Sequence, residues 1–319
     1  METRIVGVDL GGTRIRVALL DGQLTLLKRV EEPTRAWEGP QITIPRIIDL
    51  IAKIIEVSDQ PVQAIGISTP GPIDPTTGAI VSPPNLDGWI DVPLGRIVQR
   101  HFPQIPVTIE NDANVAALAE TALGAARGHR HAVYITVSTG VGCGIVIDGR
   151  LFVGSGGLAG ELGHTVLLVE GERVSSIEEE ASGPGMARYA VRRLEAGARS
   201  MIRDLVEGDL AAVSGRVVGE AARAGDALAL EAVTRTGWLV GYGIANMLML
   251  FNPTIVVVGG GVTNLGDLLF APMREAVRAA VIDPAYVEQA PIVPAALGDD
   301  VAIIGAAVLA AQEVLQFEI

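Results

Sequence analysis

One pattern occurs twice along this chain and limits its fold more than any other feature. Residues 4–9 form a short β-rich run. The glycine turn Leu10-Gly11-Gly12-Thr13, a second β-rich run over 14–20, the turn Asp21-Gly22 and a third run over 24–30 follow it. The series returns as residues 132–137, the turn Ser138-Thr139-Gly140-Val141-Gly142, residues 144–147, Asp148-Gly149 and residues 151–153. Asp-Gly between apolar alternations is a strong hairpin signal, because the tight hairpin turn needs positive φ at its centre. Two copies of strand, glycine turn, strand, hairpin turn, strand point to two similar α/β halves.

The segments between the copies fit that reading. Ile47, Ile48, Ile51, Ile54 and Ile55 make a helical stripe within residues 44–57. A strand over 62–68 leads into a Pro- and Gly-rich loop system over 69–95, a length at which an ordered loop is usually functional. A short strand over 107–109 runs into Asn111-Asp112, and a helix over 113–126 ends at Gly128. Helices are expected over 226–251, 267–282 and 301–315. Residues 236–266 carry no charge, longer than the ~20 residues a bilayer span needs. Asn246, Asn252-Pro253 and Gly259-Gly260-Gly261 interrupt that stretch, so it reads as a buried helix, a break and a buried strand over 254–258.

Charge and cysteine usage narrow the chemistry. The formal net charge is −13, with no basic block, which argues against nucleic acid or an anionic membrane as partner. A bound phosphate would have to be held by backbone N–H groups and a metal against that global field. The single cysteine, Cys143, excludes an internal disulfide and a multi-cysteine metal site. Lys28 and Lys53 are the only lysines, and neither lies in a glycine-rich loop, so there is no Walker A site. The opening segment meets Asp9 too soon for a signal peptide, and a cytoplasmic protein is expected.

Glycine turns at hairpin tips let backbone N–H groups approach a polyphosphate without Cβ obstruction. Gly11, Gly12 and Thr13 in the first copy, and Thr139 and Gly140 in the second, are candidates for that role, each also open to the plainer reading of a tight turn. Asp9 is placed to hold Mg²⁺ through water. Gly259-Gly260-Gly261 follows a strand and precedes a helix but lacks the third glycine of a dinucleotide fingerprint, where Asn264 stands. Asp112 sits between a strand and a helix. It reads either as a helix N-cap or as a general base accepting a hydroxyl proton. Glu161 and His164 lie among small residues that leave them room to reach a ligand. Glu178-Glu179-Glu180 reads locally as a solvated helix start, and Asn85 as a turn residue.

Together these motifs resemble the ROK family of sugar kinases and repressors, nearest its bacterial glucokinase branch, over almost the whole chain. Gly7-Val8-Asp9-Leu10-Gly11-Gly12-Thr13 resembles the family's first phosphate motif and Thr136-Val137-Ser138-Thr139-Gly140-Val141-Gly142 its second. Ile67-Ser68-Thr69-Pro70-Gly71-Pro72-Ile73-Asp74 and Pro84-Asn85-Leu86-Asp87-Gly88-Trp89 resemble its sugar-side loops. Glu110-Asn111-Asp112-Ala113-Asn114 resembles its catalytic motif, and residues 160–164 its sugar-binding Glu-x-Gly-His.

The resemblance implies an actin-like ATPase (duplicated ribonuclease H-like) fold of two α/β lobes around a cleft: a small lobe of residues 1–112 plus 302–319 and a large lobe of residues 113–301. The last helix would pack back on the first lobe. It implies an ATP- and Mg²⁺-dependent hexokinase, with glucose the first-choice sugar and Asp112 the base acting on its primary hydroxyl. Gly71, Asn85, Asn111, Glu161, His164 and Glu178 would meet the sugar. Gly11, Gly12, Thr13, Thr139 and Gly140 would meet phosphates, and Gly260 and Gly261 would lie near the adenosine. N-acetylmannosamine, fructose, allose or mannose are the alternative sugars, and polyphosphate the alternative donor. A sugar-responsive repressor, which would carry a helix-turn-helix before the first glycine turn, and a catalytically silent sensor are the rivals of another class. Family members are often dimers or tetramers, so a homo-oligomer is expected. One departure stands out. The family's zinc motif, Cys-x-Cys-Gly-x-x-Gly-Cys-Leu-Glu, is replaced by a shorter cysteine-free segment over 165–176, so zinc is not expected. Aligning on Ala181-Ser182-Gly183 makes Glu178 the sugar contact, with Glu179 the fallback.

Overall fold

The computed structural model describes residues 2–74, 77–81, 83, 86–170 and 173–319; of 168–170 and 173 only the backbone is described. Asn85 lies outside the described residues. β1 (Arg4–Leu10), β2 (Arg14–Asp21) and β3 (Leu26–Pro33) form an antiparallel meander. α1 (Pro40–Glu56) starts four residues before the expected 44, because Pro40 at its first position has φ preset and no N–H to satisfy. Ile47, Leu50, Ile51 and Ile54 on that stripe are buried with Val6, Val8, Val17, Ile65 and Ile67 of the sheet. β4 (Ala64–Thr69), the two-residue strands β5 (Ile73–Asp74) and β6 (Ala79–Ile80), α2 (Leu94–His101), β7 (Val107–Asn111) and α3 (Asp112–Ala122) follow. β4 lies parallel to β1 on one side and β7 on the other, giving the order β3-β2-β1-β4-β7.

The second copy builds the same order. β8 (Ala132–Val137), β9 (Val141–Ile147) and β10 (Arg150–Leu151) correspond to the first meander. A hairpin of β11 (Val166–Glu170) and β12 (Arg173–Ser176) comes next, then α4 (Ile177–Ala181), α5 (Gly183–Glu195), α6 (Ile202–Leu205), α7 (Gly215–Arg223) and α8 (Ala227–Phe251). β13 (Ile255–Gly259), α9 (Asp267–Ala280), α10 (Ala285–Gln289), β14 (Ile292–Pro294) and α11 (Val301–Leu315) complete the chain. The sheet order is β10-β9-β8-β13-β14, with β13 parallel to β8 and β14. The charge-free stretch is α8, stopped by Asn252 in the left-handed region at φ 44°, followed by the buried β13. Among the described residues no helix is long and apolar enough to cross a membrane.

The chain divides into two compact units. One holds Met1–Arg130, Gly144–Gly160 and Ala296–Ile319; the other holds His131–Cys143 and Glu161–Ala295. These limits differ from the expected boundaries at 112/113 and 301/302. The reason is packing. α3 is buried from Ala113 to Thr121 and lies against α11, so it stays with the first sheet. Glu120 on α3 reinforces this: fully buried, it accepts N–H bonds from Ala125 at 2.7 Å, Ala296 at 2.9 Å and Leu297 at 3.0 Å. Nothing in the local sequence marks Glu120 as buried.

Candidate active site

In the first unit the sugar-side and catalytic motifs converge at the carboxyl ends of parallel strands. Register pairs Ser68 with Glu110 and Thr69 with Asn111. Gly71, just past β4, comes so close to Asn111 that a Cβ there would lie 3.2 Å from the Asn111 Cβ. The α3 cap is Asn111, whose side-chain oxygen accepts the Asn114 N–H at 2.8 Å. That removes the N-cap reading of Asp112. Asp112 occupies the first helical position, exposed, on an otherwise buried helix. A carboxylate there sits at the positive end of the helix dipole, on the exposed side of the turn.

The first glycine turn lies at the β1–β2 tip of the same unit. The Gly11 N–H donates to the Arg14 carbonyl at 3.0 Å and the Gly11 carbonyl accepts from the Thr34 hydroxyl at 2.6 Å. Among the described residues the amides of Gly12 and Thr13 donate to no acceptor, which leaves them for an anion. Asp9 is more constrained than its sequence suggests. It is 6% exposed, and its Oδ2 is held by Arg16, at 2.8 Å from Nε and 2.6 Å from a terminal nitrogen. Burial pushes the Asp9 carboxyl above its ordinary range, and the Arg16 guanidinium opposes that. Oδ1 has no hydrogen-bond partner among the described residues. One free oxygen suits a water-mediated contact to a metal that arrives with a nucleotide. Among the described residues no group of three or more His, Cys, Asp or Glu is assembled to ligate one directly.

In the second unit a different set gathers around the second glycine turn. Glu178 reaches it: its Oε2 accepts the Val141 N–H at 2.9 Å and would lie 2.5 Å from a Cβ at Gly140. Glu179 is engaged elsewhere. It closes a capping box with Ser176, accepting the Ser176 N–H at 2.9 Å while its own N–H meets Ser176 Oγ at 3.2 Å. Glu180 is buried and paired with Arg235 at 2.6 Å, so the triple-Glu run is not a solvated helix start. Glu161 and His164 flank a single 3₁₀ turn over Leu162–His164, both exposed. That turn presses on the strand after Gly140, since a Cβ at Gly163 would lie 2.0 Å from the Val141 carbonyl oxygen. Glu161, His164 and Glu178 thus share the neighbourhood of Gly140 and Val141. The cysteine-free segment is held by hydrogen bonds: β11 pairs with β12, and the Ile177 N–H donates to the Thr165 carbonyl at 3.2 Å.

A cavity of about 790 Å³ opens beside this turn, lined by Thr139 and Gly261 among others. That volume is within the usual range for a small-molecule site. Gly260, at φ 93°, brings the loop after β13 against the end of β8; a Cβ there would lie 2.4 Å from the Val137 carbonyl oxygen. α5 and α7, whose amino ends are capped by Ser182 and Ser214, both run along the cavity wall. Arg188, Arg192, Arg216 and Arg223 line it, and no described carboxylate does. Arg188 donates to the Glu179 carbonyl, Arg223 donates to the Asn264 carbonyl at 3.3 Å, and Arg192 lies 3.9 Å from a Glu180 oxygen. The arginines are scattered singly along α5 and α7, so no local motif announces them.

Comparison with known proteins decides the family. The model of the ROK family matches residues 5–313. The chain belongs to the ROK family. Among ROK relatives it is similar to a glucokinase of Thermotoga maritima, 33% identical over 311 residues that cover 96% of each chain. It is 34% identical to a glucokinase of Halalkalibacterium halodurans, over 97% of this chain and 95% of that one. A crystal structure of a ROK family glucokinase from Streptomyces griseus, in complex with glucose and AMPPNP, superposes with a TM-score of 0.80 at 32% identity, covering 97% of this chain and 99% of that one. A ROK hexokinase from Thermus thermophilus gives 0.83 at 34% identity, over 99% and 100%. The fold is the actin-like ATPase fold that the family resemblance implied.

Proposed function

We propose that the chain transfers the γ-phosphoryl group of ATP to the primary 6-hydroxyl of glucose. The observation that carries this reading is Asp112: an exposed carboxylate at the first position of α3, relieved of capping by Asn111. The glucokinase relatives, and the glucose and AMPPNP bound to the Streptomyces griseus protein, support the choice of sugar and donor. Asp112 takes the hydroxyl proton as the phosphoryl group moves. Asn111, Glu161, His164 and Glu178 hold sugar hydroxyls, with Gly71 giving the sugar side room; Asn85 joins them on the strength of its motif. The unpaired amides of Gly12 and Thr13, with Gly11, and the turn of Thr139 and Gly140 stabilise charge developing on the phosphates. Asp9 is the residue that would hold, through water, a Mg²⁺ ion accompanying ATP, and the ion would supply charge neutralisation at the phosphates. The arginine-lined cavity takes the nucleoside, with Gly260 and Gly261 at its edge.

Two experiments test this. ADP release measured over glucose, mannose, fructose, allose and N-acetylmannosamine, with ATP and again with polyphosphate, should be fastest with glucose and ATP. A faster rate with another pair reassigns the substrate. Glu178→Ala should raise the KM for glucose on the order of 100-fold, as expected for losing a charge-assisted hydrogen bond worth about 3 kcal/mol. Glu179→Ala should cost only about 1 kcal/mol of stability through the lost cap and leave that KM alone. A larger KM effect at Glu179 would reverse the assignment of the two carboxylates.

A further inference from the structure

Strand β7 is an edge strand, and it ends in the residue that caps α3. The residue before the cap makes a bond that the catalytic reading does not use: Glu110 Oε1 accepts the backbone N–H of Asn111 at 2.8 Å. Asn111 in turn accepts the Asn114 N–H at 2.8 Å through its side chain. Asp112 lies between these two fixed points. Asn114 adds a second polar group beneath the turn. It is fully buried, and both atoms of its side-chain amide lack a hydrogen-bond partner among the described residues. It lies near enough to favour the ionised form of Glu110, though short of a well-formed hydrogen bond.

Glu110 also faces a separate polar cavity of about 450 Å³ within the first unit. The charged groups lining it are Asp74 at the end of β5, Arg150 on β10 and Glu313 on α11, with Gln312 beside them. Burial raises the carboxyls of both Glu110 and Glu313, and the Glu110 charge adds to the rise at Glu313. Glu110 is half-buried and Glu313 exposed, and a partly desolvated carboxylate facing another acid is unfavourable unless an arrangement requires it. The arrangement visible here is the bond to the Asn111 amide.

We propose that Glu110 is a positioning residue for phosphoryl transfer, its side-chain oxygen holding the Asn111 amide so that the first turn of α3 presents Asp112 in one orientation. The proposal rests on the reading of Asp112 as the base. The partner is a backbone N–H, so an uncharged carbonyl at the same reach serves as well as a carboxylate. A carboxylate one methylene shorter does not. Misplacing a reacting group by about 1 Å can cost on the order of 100-fold in rate.

The test compares Glu110→Gln with Glu110→Asp in steady-state kinetics with glucose and ATP. The Gln variant should keep kcat within about threefold of the unsubstituted protein, while the Asp variant loses at least about tenfold in kcat with KM for glucose changed less than about threefold. The reverse ranking would make charge, not reach, the property used, and would overturn the proposal. So would equal losses, or no loss, in both. Amide hydrogen exchange over residues 111–114 gives a second reading that needs no turnover: exchange should speed up in the Asp variant and not in the Gln variant. If the unsubstituted protein releases no ADP with glucose, or Asp112→Asn turns over normally, the reading of Asp112 fails. The exchange comparison still decides the role of Glu110.

Discussion

Asp112→Asn is expected to abolish nearly all glucose-dependent ADP release while leaving a folded protein that still binds glucose. The substitution is close to isosteric, and the position is exposed. At the first turn of α3 the charge contributes at most about 0.3–1 kcal/mol of stability through the helix dipole. The cap itself is Asn111 and is untouched. What the amide cannot do is accept the hydroxyl proton. A positioned general base contributes on the order of 10²–10⁴-fold, equivalent to about 3–5 kcal/mol of barrier. Three measurements separate the effects: the rate of ADP release, glucose affinity by calorimetry and the thermal midpoint. Normal turnover in this variant would refute the assignment, and a collapsed midpoint would show a structural role that the exposed position does not predict.

Gly66→Ala is expected to destabilise the first unit severely. Gly66 sits in the middle of β4, where α11 packs directly on the strand; a Cβ there would lie 1.8 Å from the Ala306 carbonyl oxygen. Ordinary contact for that pair is well above 3 Å, so the helix must retreat by more than 1 Å along a face that is buried from Ala302 to Ala311. Overpacking in a well-packed core costs about 1–3 kcal/mol, and with backbone as the obstacle the upper end, ~3 kcal/mol, is expected. β4 also pairs with β7, so the same shift would disturb the strand that delivers Asn111 and Asp112. Urea unfolding followed by far-UV circular dichroism reads the loss as a lower midpoint. An unchanged midpoint would mean that α11 is not held at this distance.

Much of the fold is legible in local patterns. Both hairpins form where the Asp-Gly pairs stand and the two sheets share one order, but only Asp148 and Gly149 take the positive φ of the tight turn, 53° and 77°; at the first hairpin the left-handed residue is Leu24, φ 63°, in a longer turn. The break at Asn252-Pro253 is legible for the same reason, since the left-handed residue and the proline act where they stand. The candidate base is legible only as an alternative, because Asn111 and Asp112 are both good caps. Their roles separate once the Asn114 N–H is seen to point at Asn111.

Other features have no local signal. Glu178, Glu179 and Glu180 are chemically identical neighbours with three different fates: the second glycine turn, a capping box and an ion pair with Arg235, 55 residues away. Arg16, on β2, pairs with the buried Asp9, a partner that its position in the strand does not reveal. The cavity arginines are set by how α5 and α7 lie together.

The sequence by itself determined the duplicated α/β plan, the family and the places of the glycine turns, because backbone conformation at glycine, proline and short polar residues is a near-neighbour property. The tertiary structure alone decided which carboxylates are capped, paired or exposed, which arginines gather at one cavity of an acidic chain, and that α3 belongs with the first sheet. Burial and pairing depend on residues far apart in the chain, whose meeting is fixed only when helices and sheets pack.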